Sequence, residues 1–372
     1  MQVAYIGIKG LPSRAGADRV VEAIVTRLAP LGVQATVYCD RARSVNDAVP
    51  GVRLLRLRVL PGKHLRPLSL NLLAGLHALV FGRYDLIHLH HLEAGFLLPI
   101  LRLRYRVVST SHGFAYRRAK WSAGARFFMR LSNVPFTRLS TAITSVSAQH
   151  ARELQEQYGC QVLHIPNGTA PLRPAGDGGE VIRARHGLSP GRYFLLVAGR
   201  IDPTKGVHLA LAAVNRLNMP LLVVGDDGQV PAYTQQLREM AGANVRFQSF
   251  VDEPAVLTDL MSHSTCLIHP SLFEGMSMVL LEAATAGAPI VCSDIQENRE
   301  VLGNDGMYFR SGDAEALAGQ LEWVLDHEEI AVRRARSCSL RVQQLYSWDA
   351  IVPRYVEVYR RASKGGVLAT GR

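Results

Sequence analysis

The sequence predicts an α/β protein with two parallel, doubly wound sheets in tandem. Three observations carry this. Short apolar runs alternate with helix-length segments along the chain. The alternation stops at a stretch rich in Pro, Gly and Asp, 166–191, and then begins again. The length, 372 residues, suits two domains of ordinary size. A composition of 48% hydrophobic and 20% charged residues supplies a normal core and excludes a disordered or collagen-like chain.

In the front half, 3–8, 34–38, 52–57, 85–90, 106–110 and 142–146 read as strands, mostly separated by crossover helices. The second series is 193–198, 220–224, 244–247, 266–269 and 289–292, followed from about residue 314 by a mostly helical tail. This divides the chain into an N-terminal domain 1–172, a linker 173–191, a second domain 192–345 and a tail 346–372 that could cross back to the first domain. Ligands of such sheets sit beyond the carboxyl ends of the strands. Two such domains facing across a cleft would hold two substrates against each other.

The N-terminus, MQVAYIGIKG, reads as a buried strand and not as a signal peptide. The apolar stretch 67–82 is shorter than a membrane span. Its Leu68, Leu72, Leu73, Leu76, Leu79 and Val80 recur at helical spacing, which predicts an amphipathic helix packed on the sheet. The five cysteines are scattered without a CxxC pair, which points away from a disulfide framework or zinc knuckle and towards a reducing, cytoplasmic location.

Charge is unevenly spread. The net charge is +11; residues 1–173 hold 23 Lys and Arg against 8 Asp and Glu, and the remainder 19 against 23. A basic front half suggests an anionic partner: a phosphate-bearing substrate, an anionic membrane surface or nucleic acid. Nine cations between Arg102 and Arg138 are interleaved with Tyr105, Phe114, Tyr116, Trp121, Phe127 and Phe128. One reading is a solvated basic face over core aromatics. The other is a peripheral membrane face, with Arg117, Arg118 and Lys120 among its contacts.

Four segments carry candidate chemistry. In SLFEGMSMVLLEAATAGAPIVCSD, Glu274 and Glu282 flank a turn, Gly275 to Ser277, that would open a helix over 278–286. A helix N-terminus offers unpaired N–H groups to phosphate, and Glu282 could reach a ribose or sugar hydroxyl. Were both carboxylates on one helix, they would be about 12 Å apart along its axis. That is too far for a glycosidase acid–base pair. The bland alternative is two solvated glutamates at a helix start. In VAGRIDPTKGV, Arg200 and Lys205 follow a strand and could neutralise a leaving diphosphate. On its own that loop is equally an ordinary solvated turn. In SHGF, His112 follows a strand at the cleft, although a lone histidine is more often structural. The first loop, GIKGLPSRAGADRVVEAIV, lacks G-x-G-x-x-G, so a dinucleotide cofactor is not expected despite Asp40. Asp226 and Asp227 read as a turn rather than a metal site.

These four segments, in their chain order from the first loop through SHGF and GRIDPTKG to FEGMSMVLLE, resemble the retaining nucleotide-sugar glycosyltransferases of the GT-B fold, family 4 type, in which two Rossmann-like domains face across a cleft. The opening IGIKGLPSRAGADRVVE is similar to the N-terminal domain of bacterial cell-surface polysaccharide transferases, some of which transfer rhamnose. The resemblance implies that Arg200 and Lys205 hold the donor diphosphate and that Glu282 binds the ribose. It implies that Glu274 contacts the donor sugar beside the backbone of Gly275, Met276 and Ser277, and that His112 lies near the transferred sugar. Gly16 would let the first loop approach the phosphates, and the segment 247–251, with Phe250, would border the base. It implies anomeric retention by same-face substitution, no metal and no cofactor. The acceptor would be a saccharide or lipid-linked saccharide. Two departures, Ala17 where a second glycine is common and Ser249 in place of glycine, bear on the sugar and base preference. The rival readings are a nucleotide-sugar epimerase on the same fold and a basic nucleic-acid-binding protein; for the latter no recognised module is present.

Overall fold

The computed structural model describes residues 1–13, 16–44, 48–62, 65–117, 121–171, 179–228, 230–251 and 253–364. The chain forms two compact units: Met1–Asn167 with the C-terminal segment from Trp348, and Gly168–Ser347.

The first unit contains strands β1 (Gln2–Ile6), β2 (Gln34–Asp40), β3 (Val52–Leu57), β4 (Leu86–His90), β5 (Arg106–Ser111), β6 (Ala142–Ser145) and β7 (Leu163–His164). Its helices are α1 (Gly16–Val25), α2 (Leu65–Phe81), α3 (Leu98–Leu101), α4 (Ala123–Leu139) and α5 (Ala148–Tyr158). The sheet is parallel, in the order β3-β2-β1-β4-β5-β6-β7. Val3 lies beside Leu86 on one side and Ala35 on the other. Ala4, Ile6, Ile87, Leu89 and Val107 are fully buried, as the central strands of a sheet covered on both faces require.

The second unit contains α6 (Glu180–His186), β8 (Phe194–Ala198), α7 (Val207–Leu217), β9 (Leu221–Gly225), α8 (Pro231–Met240), β10 (Val245–Gln248), α9 (Pro254–Ser262), β11 (Cys266–His269) and α10 (Met278–Thr285). It continues with β12 (Ile290–Ser293), α11 (Gln296–Leu302), β13 (Met307–Phe309), α12 (Ala314–Asp326) and α13 (Glu328–Leu345). Its parallel sheet runs β10-β9-β8-β11-β12-β13. In each unit the winding reverses after the third strand, so β1 and β4, or β8 and β11, diverge at a switch point where ligands of this topology bind.

The last helix, α14 (Trp348–Ser363), belongs to the first unit and packs on β4 and β5. It buries Ile351, Tyr355 and Tyr359 there. Part of the expected linker, 173–178, lies outside the described residues, and α6 forms within the rest of it.

Helix α2 corrects one expectation. Its packed face is made of Leu70, Asn71, Ala74, Gly75 and Ala78. Leu68, Leu72, Leu73, Leu76 and Val80 are exposed instead. The cause is close approach: a Cβ on Gly75 would lie 3.3 Å from Leu97 Cδ2, so small residues face inward and the leucines turn out. No described helix is long and apolar enough to cross a membrane. Tyr105, Phe114 and Tyr116 belong to the core, whereas Phe127 and Phe128 of α4 are exposed.

Candidate active site

In the second unit, the loops that leave β8 and β11 at the switch point are bound to each other. Asp202 caps the short 3-10 turn Pro203–Lys205, its Oδ1 accepting from Thr204 N–H at 3.0 Å. Gly206 then takes φ +65°, and a Cβ there would lie 2.0 Å from the Pro270 carbonyl oxygen. Only glycine permits this approach. Leu272 N–H donates to Thr204 O at 2.8 Å and completes the strap.

The strap brings Lys205 Nζ to 2.6 Å from Glu274 Oε1. His269 Nε2, from the end of β11, lies 3.2 Å from the same oxygen. Glu274 is 8% exposed and Glu282 5%, so the reading of two solvated glutamates is wrong. Burial alone would raise the Glu274 carboxyl, but Lys205 and then His269 hold it well below the ordinary carboxylate range. An ionised carboxylate accepts hydrogen bonds and cannot donate them. It is therefore suited to hydroxyl-bearing ligands.

Beyond Glu274, Gly275 is half-buried, and Met276 and Ser277 are buried. The Ser277 hydroxyl oxygen accepts from Leu280 N–H at 3.3 Å and caps α10. Glu282 lies in the second turn of this helix. Arg200 is half-buried in the same loop as Lys205, and Phe250 is half-buried just after β10. Asp226 and Asp227 form a turn: Asp226 Oδ1 accepts from Gly228 N–H at 3.0 Å, and Asp227 pairs with Arg238 at 2.8 Å. Among the described residues no group of three or more His, Cys, Asp or Glu could hold a metal ion.

In the first unit, Gly7 ends β1 with φ +108°, and a Cβ there would lie 2.2 Å from the His90 carbonyl oxygen. The first loop thus passes directly over the end of β4. Gly16 opens α1, and a Cβ on it would meet no atom within 4 Å. His112 follows β5 and is half-buried among histidines. His90 Nδ1 is 3.0 Å from His112 Nε2, and the His91 ring is 4.9 Å from that of His112. Burial, and then His91, push the His112 imidazole well below its ordinary value, so it is neutral at pH 7. Arg117 pairs with Glu153 at 2.6 Å and lies 4.4 Å over the Phe114 ring. Arg118 and Lys120 lie outside the described residues.

The histidine group and His269 escape the motif reading. The signal was present in LIHLHH and CLIH: imidazoles on apolar, fully buried strands need partners.

Two parallel sheets with paired switch points, and a basic loop clasping a buried carboxylate at one of them, define a glycosyltransferase of the GT-B class. Residues 14–171 match the model of Glycosyltransferase Family 4, and residues 179–338 match that of Glycosyl transferases group 1. Together these matches take in most of the chain, which belongs to this group of glycosyltransferases. It is 29% identical over 296 residues to glycogen synthase of Mycobacterium tuberculosis (strain CDC 1551 / Oshkosh), covering 76% of this chain and 70% of that one. It is 28% identical over 306 residues to phosphatidyl-myo-inositol mannosyltransferase of Mycolicibacterium smegmatis, covering 77% and 73%. Among solved structures, sucrose-phosphate synthase from Thermosynechococcus elongatus superposes with a TM-score of 0.83 at 22% identity, over 97% of this chain and 98% of that one.

Proposed function

We propose that the protein transfers a sugar from a nucleoside-diphosphate sugar to an acceptor hydroxyl with retention at the anomeric carbon. The product would belong to a bacterial cell-surface polysaccharide or glycolipid. The observation that carries this reading is the ionised, buried Glu274 held by Lys205 beside the N-terminus of α10. Glu274 accepts hydrogen bonds from the donor sugar. The N–H groups opening α10, with Arg200 and Lys205, take the diphosphate. Glu282 accepts from the ribose hydroxyls, and Phe250 borders the base. In the first unit His112 contacts the transferred sugar, and Gly16 leaves room for phosphate at the start of α1. Glu274 is engaged by two cationic or polar neighbours and serves binding rather than attack. With the retention that the resemblance implies, and without an enzyme nucleophile, the acceptor oxygen bonds to the anomeric carbon on the face from which the diphosphate departs. The carbon–oxygen bond to phosphate breaks, and the acceptor proton passes to a leaving phosphate oxygen. Positive charge placed where the diphosphate forms supplies the stabilisation, with no metal required.

The test is incubation with UDP-, GDP-, ADP- and dTDP-sugars and a saccharide acceptor. Proton NMR would follow the anomeric coupling of the product. Retention in one donor series supports the reading. Inversion, or an isomerised donor formed without acceptor, overturns it.

The exposed face of α2, α3 and α4 supports a lipid-linked acceptor reached from a cytoplasmic, peripheral position on an anionic bilayer. Phe81, Leu103, Phe127 and Leu131 are more than half exposed. Arg102, Arg104, Arg126 and Arg130 are exposed on the same segments. Apolar side chains at the acyl boundary with cations at headgroup level match an anionic leaflet. Of the Arg117, Arg118 and Lys120 cluster, Arg117 is half-exposed and pairs with Glu153, and the other two lie outside the described residues. The protein should sediment with vesicles containing phosphatidylglycerol, and changing Leu103, Phe127 and Leu131 together to Ser should abolish this. Equal binding to neutral vesicles, or none to either, contradicts it.

A further inference from the structure

Inside the first unit, polar rings continue inward from His112. His90 is fully buried; its ring centroid lies 4.1 Å from that of His88, tilted by 39°, and its ring stacks on Tyr5 at 5.8 Å. His88 is fixed by both nitrogens: Nδ1 lies 2.7 Å from Tyr359 Oη, and Nε2 lies 2.6 Å from Thr110 Oγ1. Tyr359, carried in on α14, also bonds Tyr5 Oη at 2.7 Å. Thr110 in turn bonds Thr144 Oγ1 at 2.6 Å. These contacts clamp the His90 ring, so its Nδ1 has one direction, towards His112 Nε2 at 3.0 Å.

The proton positions follow from what the cluster leaves unsatisfied. His90 Nε2 is buried without a hydrogen-bond partner. An orphaned buried N–H is rarer than an orphaned buried acceptor. The His90 proton therefore sits on Nδ1 and is donated to His112 Nε2. His112 must then carry its own proton on Nδ1, since each neutral imidazole has one donor and one acceptor.

We propose that His90 is a positioning residue that fixes His112 as the Nδ1–H tautomer, so that the other nitrogen of His112 is a hydrogen-bond donor towards an oxygen of the transferred sugar. The buried ladder His88–Tyr359–Tyr5 keeps His90 in register, which makes α14 part of the support of this site. The sugar contact rests on the role proposed above for His112; the tautomer does not. A fixed donor orients one hydroxyl or ring oxygen, whereas a rotating imidazole would offer a donor or an acceptor by chance.

The experiment uses the full-length chain with 15N-labelled histidine. Long-range proton–nitrogen correlation spectra report which ring nitrogens carry protons, and His112 is assigned by its loss in His112→Gln. The expected result is a single His112 species, protonated at Nδ1. His90→Asn keeps an N–H near the Nδ1 position and should retain it. His90→Leu should give a mixture, with a turnover loss of about tenfold or more at unchanged donor KM. His90→Asn should recover most of that turnover. Thermal melting of both variants separates this from misfolding, and the Asn variant keeps the test open if the Leu variant does not fold. An Nε2–H His112 in the wild type, or an unshifted tautomer in His90→Leu, overturns the proposal. A shifted tautomer with unchanged turnover sustains the hold of His90 on His112 and overturns the sugar contact.

Discussion

Replacing Lys205 by Met removes the cation 2.6 Å from a buried carboxylate. In an effective dielectric of about 20 the attraction at this separation is about 6 kcal/mol before desolvation is charged against it. Removing one partner of a buried pair costs about 3–5 kcal/mol, because the other charge is left uncompensated. The Lys205 side chain retains 22% exposure, so water replaces part of its effect and the low end, about 3 kcal/mol, is expected. For a unit of this size that is a fall in Tm of about 6–12 °C. The sign with pH follows from the depressed Glu274 carboxyl. Its contribution is complete above the unfolded carboxylate pKa, about 4.3, and is lost as pH falls below that towards the folded value. Wild type and Lys205→Met should therefore differ most near neutrality and converge on acidification. Glu274→Gln in the Lys205→Met background removes the orphaned charge and should recover about 2 kcal/mol. Calorimetric melting from pH 2 to 8 measures all three. Additive single and double variants, or a stability gap that widens in acid, would refute the pairing.

Other outcomes follow from the same loops. Gly206→Ala places a methyl 2.0 Å from Pro270 O at a left-handed φ. It should cost at least about 2 kcal/mol and weaken nucleotide binding by separating the two loops; a melting curve like that of wild type would contradict this. Glu282→Ala should weaken the donor by about 1.5–3 kcal/mol through lost hydrogen bonds to a charged acceptor. Equal affinity by titration would remove Glu282 from the site. Transfer activity should survive excess EDTA, and a complete loss restored by Mg²⁺ would show that a metal takes part.

The fold was legible because each strand is a short apolar run with crossover helices around it. The strands that escaped, Leu163–His164 and Met307–Phe309, have two and three residues, too few to show a period. In the second unit the donor motif was legible as spacing. What spacing could not supply was that Glu274 is buried and bound by a neighbouring loop. That depends on Gly206 meeting Pro270, 64 positions later in the chain. Helix α2 misled for a related reason. Leucines at helical spacing imply a core stripe, but a glycine–alanine face allowed closer packing and left them outside. The histidine cluster joins β1, β4, β5 and α14, and no local window contains such a pairing.

The central claim is that the loops after β8 and β11 hold a nucleoside diphosphate. Calorimetric titration of the intact protein with UDP, GDP, ADP and dTDP, beside Arg200→Ala and Glu282→Ala, tests it most directly. One of the four should bind at a single site without added metal, and each substitution should weaken it by about tenfold or more. Binding of none of them, or binding of one with equal affinity in both variants, would contradict the account.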